Sequence, residues 1–95
     1  MVMFKFEKLE VWKKAVMLYE EVSSMSRTID QRDQFLPGEQ IRRAALSLST
    51  NIAEGTGREG EKESRYLFNI AKGSVYEVVS LLSVMQTRGY LPRER

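Results

Sequence analysis

The sequence predicts an all-α fold, an antiparallel bundle of three helices in one domain. Three observations lead there. Along three separate stretches, apolar residues recur at alternating steps of four and three, the period of a helix that buries one side. Glycine and proline punctuate the gaps, at Pro37-Gly38, Gly55-Thr56-Gly57, Gly60 and Gly89. Finally, 95 residues make one domain with room for one modest core.

The first helix is expected over about 9–28. Val11, Ala15, Leu18, Val22, Met25 and Ile29 form its seam, widened on one side by Trp12, Val16 and Tyr19. No good capping side chain precedes it. A polar connection from Ser26 to Gly38 follows. The second helix is expected over about 38–54, with Pro37 suited to its first turn and Gly55 to its C-terminal cap. Ile41, Ala45, Leu48 and Ile52 form its seam, and Ala44 keeps one flank thin. The third is expected over about 61–88. Leu67, Ala71, Ser74, Val78, Leu81 and Met85 make its main row, and Phe68, Val75 and Leu82 a parallel one. Gly60 takes the cap position with Glu63 three residues on, a partial capping box. Gly89 ends the helix, and Tyr90-Leu91-Pro92 is expected to open another element.

Composition removes several chemistries. The chain has no cysteine, so it can hold neither a disulfide nor a thiolate metal site, which fits a reducing cytoplasm. It has no histidine either. A Ser-His-Asp or Cys-His nucleophile cannot be assembled, nor a zinc or di-iron site that needs imidazole. Glu59 and Glu63 are paired carboxylates at helical spacing, but a solvated, lysine-rich turn explains them better. Gly55 to Gly60 lacks the preceding strand and the Gly-Lys-Ser/Thr of a phosphate loop. No catalytic residue, metal, cofactor or small-molecule substrate is therefore expected. Nor is a membrane span, since no run of eighteen apolar residues occurs. The N-terminal Met1-Val2-Met3-Phe4-Lys5-Phe6 is too short and too soon charged for a secretory signal. Fifteen basic against thirteen acidic residues permit nucleic-acid contact without demanding it.

The most informative stretch runs from Gln40 to Arg58. Arg43, Ser47, Thr50/Asn51, Glu54 and Arg58 recur at steps of three and four, so a polar stripe lines one side of an otherwise apolar helix. Two readings stand. In the favoured one, Arg43, Asn51, Glu54 and Arg58 form a polar network, paired with one another or across subunits. In the other, the two arginines face outward and hold phosphate.

The same run, Gln40-Ile41-Arg42-Arg43-Ala44-Ala45 through Asn51-Ile52-Ala53-Glu54-Gly55 to Gly57-Arg58, resembles the signature of the 23S rRNA intervening-sequence proteins, a bacterial four-helix-bundle family. Phe6 to Ala15 and Phe68 to Glu77 match further pieces of it in the right order, so the resemblance covers nearly the whole chain. It implies an up-down bundle, a homo-oligomer that is often a pentamer, and no established catalysis. A related branch works with a reverse transcriptase and nucleic acid. The chain departs from the family at Lys8, where a capping residue such as Asp is usual, and at Ser49, where proline is common. Ser64 replaces an aromatic, and Val79 and Leu81 replace polar residues. Against the family pattern, the fourth helix is expected to be lacking: either the sequence is a truncated version, or another subunit completes the bundle, and association is the favoured reading.

Two surfaces of the third helix follow. Phe68, Val75, Val79 and Leu82 are the expected oligomer contact, because this apolar side is wider than one neighbour covers. Lys62, Arg65, Asn69, Lys72 and Tyr76, at steps of three and four, form the candidate RNA face: cations for phosphates and an aromatic to stack on an unpaired base. The bland alternative is a solvated face diluted by Glu61 and Glu77. Lys5, Lys8, Lys13 and Lys14 are interspersed with acids and read as plain surface, and Trp12 reads as a packing anchor. The sequence thus points to a non-enzymatic, oligomeric RNA-binding protein, with a protein–protein adaptor as the alternative.

Overall fold

The computed structural model describes residues 4–91. Among them the fold is all-α, with three long helices and no strand: α1 spans Glu10–Ser26, α2 Gln40–Gly57 and α3 Glu61–Thr87. A 3-10 turn at Lys5–Lys8 precedes α1. A second at Gln31–Asp33 leads into a π-helical turn, Gln34–Glu39, that runs directly into α2.

Small residues make α2 the centre of the molecule. Ala44, Ala45, Ser49 and Gly55 are buried on it, so both other helices approach it closely. By contrast, no Cα of α1 lies within 8 Å of one in α3. Order along the pair reverses, since Gly55 lies against Phe68 and Ser47 against Ser74. Two apolar clusters form the core. Val22, Ile29, Ile41, Ala44, Ala45, Val78 and Met85 make the larger one, and Ala15, Leu48, Ile52 and Ala71 the smaller. Trp12 packs on the smaller cluster and meets the Phe6 ring edge-on at 5.0 Å, as an anchor should. Of the predicted rows, Ala15, Val22, Ile29, Ile41, Ala45, Leu48, Ile52, Ala71, Ser74, Val78 and Met85 are buried, Leu18, Met25, Leu67, Leu81 and Leu82 are half-buried, and Phe68 and Val75 are exposed. Val11 opens α1 instead of filling the core and is 57% exposed.

Helix ends differ from expectation for definite reasons. Just past the end of α1 at Ser26, Gln34 Nε2 donates to the carbonyls of Ser26 (3.0 Å) and Ile29 (2.8 Å), the first of which also accepts the Ile29 N–H at 3.3 Å. Arg42 Nη1 holds that amide in place, donating to Ser26 Oγ at 2.9 Å and to Gln34 Oε1 at 3.4 Å. Pro37 does not open the second helix. Helical backbone begins at Gln34, and Pro37 is its fourth residue, within the first turn, where its lack of an N–H costs no intrahelical bond. Gly38 cannot carry a side chain there, since a Cβ would sit 2.9 Å from the Asp33 carbonyl oxygen. Gly60 precedes α3 without any side-chain capping bond, so the expected capping box does not form.

Gly55 is not a cap either. α2 continues past it to Gly57, and a Cβ on Gly55 would lie 2.6 Å from the Phe68 ring. The glycine is there for close approach. Gly89 does end α3, with φ at +90°, and Tyr90 N–H reaches back to the Met85 carbonyl at 3.0 Å. Tyr90 and Leu91 then fold onto the larger cluster instead of opening a new element. Pro92 and Arg93 to Arg95, the rest of that expected element, lie outside the described residues.

Tyr90 also closes a polar clasp. Asp33 is buried in the α1–α2 connection, and its Oδ2 accepts from Tyr90 Oη (2.7 Å) and from Arg88 Nη2 (2.7 Å) and Nε (3.0 Å). Those bonds, from Tyr90 first and Arg88 second, hold the Asp33 carboxyl below its ordinary value, and the same contacts push Arg88 and Tyr90 upward. Because the folded-state value of Asp33 is the depressed one, its contribution is complete above the unfolded value of about 3.9 and is lost as pH falls through the folded one. Asp33→Asn should therefore lower the melting temperature most at neutral pH, with the gap to wild type closing below about pH 4. A gap of equal size at every pH would contradict the clasp.

Candidate functional site

α3 buries little of itself. Of its 27 residues only Ala71, Ser74, Val78 and Met85 are buried, all on the side facing α2. By length and composition it is apolar enough to cross a membrane, its best eighteen-residue window having a mean hydropathy of at least 1.2. This departs from the expectation drawn from the sequence, which rested on unbroken apolar runs alone. Lys72 and Glu77 stand near the middle of the helix, and one side of it is a seam to protein.

On the face opposite that seam, Lys62, Arg65, Asn69, Lys72 and Tyr76 are all exposed, Tyr76 at 68%. An α-helix advances about 100° per residue, so steps of three and four keep these five on one strip. Arg65 meets Glu61 at 3.4 Å, a solvent-exposed pair of little strength. Among the described residues Lys62 and Lys72 enter no ion pair. Two cations are thus uncommitted, and a stacking ring stands one turn beyond Lys72. The arrangement can contact phosphates and a base. No group of three potential metal-binding side chains occurs among the described residues.

The polar stripe of α2 divides. Arg43 pairs with Glu39 at 3.2 Å, and Asn51 Nδ2 donates to the Ser47 carbonyl at 2.8 Å and to Ser47 Oγ at 3.0 Å. Glu54 and Arg58 are exposed, and neither joins an ion pair among the described residues. The four residues therefore do not pair with one another inside one chain. The contact that does cross between helices is one the sequence did not single out: Ser74 Oγ to Ser47 Oγ at 3.1 Å. It joins the apolar row of α3 to the stripe of α2.

Three of the expected oligomer residues, Phe68, Val75 and Leu82, line open apolar space. Because α1 and α3 stand apart, a groove of about 390 Å³ runs between them, walled by Leu9 and Val11 on one side and Phe68, Lys72 and Val75 on the other, floored by Leu48 and Ile52. A second hollow of about 180 Å³ follows at the far end, between Leu18, Met25 and Leu82. Phe68, Val75 and Val79 are exposed, Val79 at 56%, while Leu82 is half-buried and partly used by the core. Tyr66, Ile70 and Val84 are exposed as well, on the other flank of α3. Spacing alone left them unremarked, since no seam accounts for them.

The family model described as 23S rRNA-intervening sequence protein matches residues 7–95. No curated protein matches the chain.

Proposed function

Because the chain belongs to the 23S rRNA-intervening sequence protein family, we propose that it is a non-enzymatic, self-associating helical protein that binds structured RNA in the cytoplasm. Its three helices are read as an up-down antiparallel bundle in which α1 and α3 flank α2. One observation carries the RNA reading: α3 presents Lys62, Arg65, Asn69, Lys72 and Tyr76 together, exposed and opposite its buried seam. The cations neutralise phosphates, Asn69 supplies a donor and an acceptor, and Tyr76 stacks on an unpaired base. Self-association through Phe68, Val75, Val79 and Leu82 then repeats the face on every subunit. Weak contacts joined in this way gain avidity without any new contact. The family resemblance suggests a pentamer.

The same apolar groove supports the second reading, a protein–protein adaptor without a nucleic-acid role. Titrating a structured RNA against the protein by filter binding, at two salt concentrations, separates the two. The RNA reading predicts binding that weakens as salt rises, through counterion release. Binding absent at low salt would leave the adaptor.

A further inference from the structure

Three hydroxyls continue the RNA face beyond Tyr76. Ser80, Ser83 and Thr87 follow it at steps of four, three and four, so they stand on the same strip of α3 as Lys62, Arg65 and Asn69, and all three are exposed. With Val84 and Arg88 they line a shallow hollow of about 330 Å³. The strip therefore has two halves, cations before Tyr76 and hydroxyls after it. We propose that the second half reads the ribose of an unpaired RNA segment through its 2′-hydroxyls, so that the protein selects RNA over DNA. The inference rests on the RNA reading above and assigns what the far half of that face recognises.

This second half is unsuited to phosphate. Between Lys72 and Arg88 the helix carries one charge, that of Glu77, and no cation. Arg88 itself is committed to Asp33 Oδ2, at 2.7 Å and 3.0 Å. The C-terminal end of a helix also holds a partial negative charge, which repels an anion within the last turn. A strand drawn by its phosphates to Lys62, Arg65 and Lys72 thus meets a different surface once it passes Tyr76.

The hydroxyls are turned so as to tell sugars apart. Ser83 Oγ donates to the Val79 carbonyl at 3.2 Å, and Thr87 Oγ1 to the Ser83 carbonyl at 3.2 Å. Each spends its one proton on the helix, so what it offers outward is lone pairs. A phosphate oxygen has only lone pairs as well and gains nothing from them. A 2′-hydroxyl has a proton to donate, and deoxyribose lacks that group. Val84, 40% exposed, gives the hollow an apolar side for the sugar carbons.

Three RNA stem–loops test this, identical in base sequence and differing only in the loop sugars: ribose, 2′-deoxyribose and 2′-O-methylribose. The last keeps the 2′-oxygen and loses its proton. Fluorescence anisotropy reads their affinities for the full chain. Wild type should bind the ribose loop roughly tenfold more tightly than either other loop, the scale of one or two net hydrogen bonds. Ser80→Ala, Ser83→Ala and Thr87→Val together should bring the ribose loop down to the level of the other two and leave those unchanged. Circular dichroism checks the helix, and should the triple variant lose it, Ser83→Ala alone replaces it with a smaller drop expected. Equal wild-type affinity for the ribose loop and either other loop, or a variant that keeps the full preference, overturns the ribose-reading half while the cationic half stands. No binding to any of the three at low salt removes the RNA reading as well.

Discussion

Shortening Ile41 to alanine is expected to destabilise the fold by roughly 2–5 kcal/mol. Ile41 is fully buried, at 0% exposure, in the cluster where α2 meets Val22 from α1 and Val78 and Met85 from α3. Its neighbours Ala44 and Ala45 have no spare length with which to fill the space left behind. A domain of this size is stable by only about 5–14 kcal/mol in total, so the loss is a large share of what there is. Denaturant unfolding of wild type and variant at equal protein concentration reads it, since any association shifts apparent stability with concentration. An unchanged midpoint would mean that the three helices do not share this core.

The second large effect concerns RNA. Changing Lys62, Arg65 and Lys72 together to Glu should weaken RNA binding and lower its salt slope by roughly three, about one for each phosphate no longer neutralised. A fourfold rise in salt would then cost the variant roughly sixtyfold less of its affinity than it costs wild type. All three side chains are exposed, so the variant should fold; because Lys72 also stands in the wall of the groove between α1 and α3, the variant's mass is matched to that of wild type before the titration. Affinity and slope both unchanged would remove these residues from the interface.

Much of this architecture could be read from spacing. The rows Ala15/Val22, Ile41/Ala45/Leu48/Ile52 and Ala71/Ser74/Val78/Met85 are buried because helical period alone decides which side chains share a face. Gly89 was legible for a similar reason, since few other residues tolerate its φ. Gly55 was not. A cap glycine and a close-approach glycine look alike in sequence, and only the Phe68 ring lying against it distinguishes them. The clasp of Asp33 with Arg88 joins residues 55 positions apart, and nothing local signals such a pairing. Gln34 and Arg42, which close the end of α1, were hidden in a connection that read only as polar.

The site was legible in the same uneven way. Helical spacing placed Lys62, Arg65, Asn69, Lys72 and Tyr76 on one strip, and the exposure of all five agrees with it. Spacing reads the polar stripe of α2 as one line of residues, but spacing along one helix cannot say what faces it. Arg43 turned to Glu39, four residues away, and Asn51 to Ser47, because those partners are on the same helix and always within reach. The second apolar flank of α3 went unread because Tyr66, Ile70 and Val84 are interrupted by Gly73 and Glu77.

Everything turns on what covers α3, whose seam to α2 occupies four buried residues while both flanks stay apolar and open. Sedimentation equilibrium of the unmodified chain over a wide concentration range tests this most directly. The expected outcome is a mass several times 11.0 kDa that falls on dilution. A single 11.0-kDa species at every concentration would contradict it.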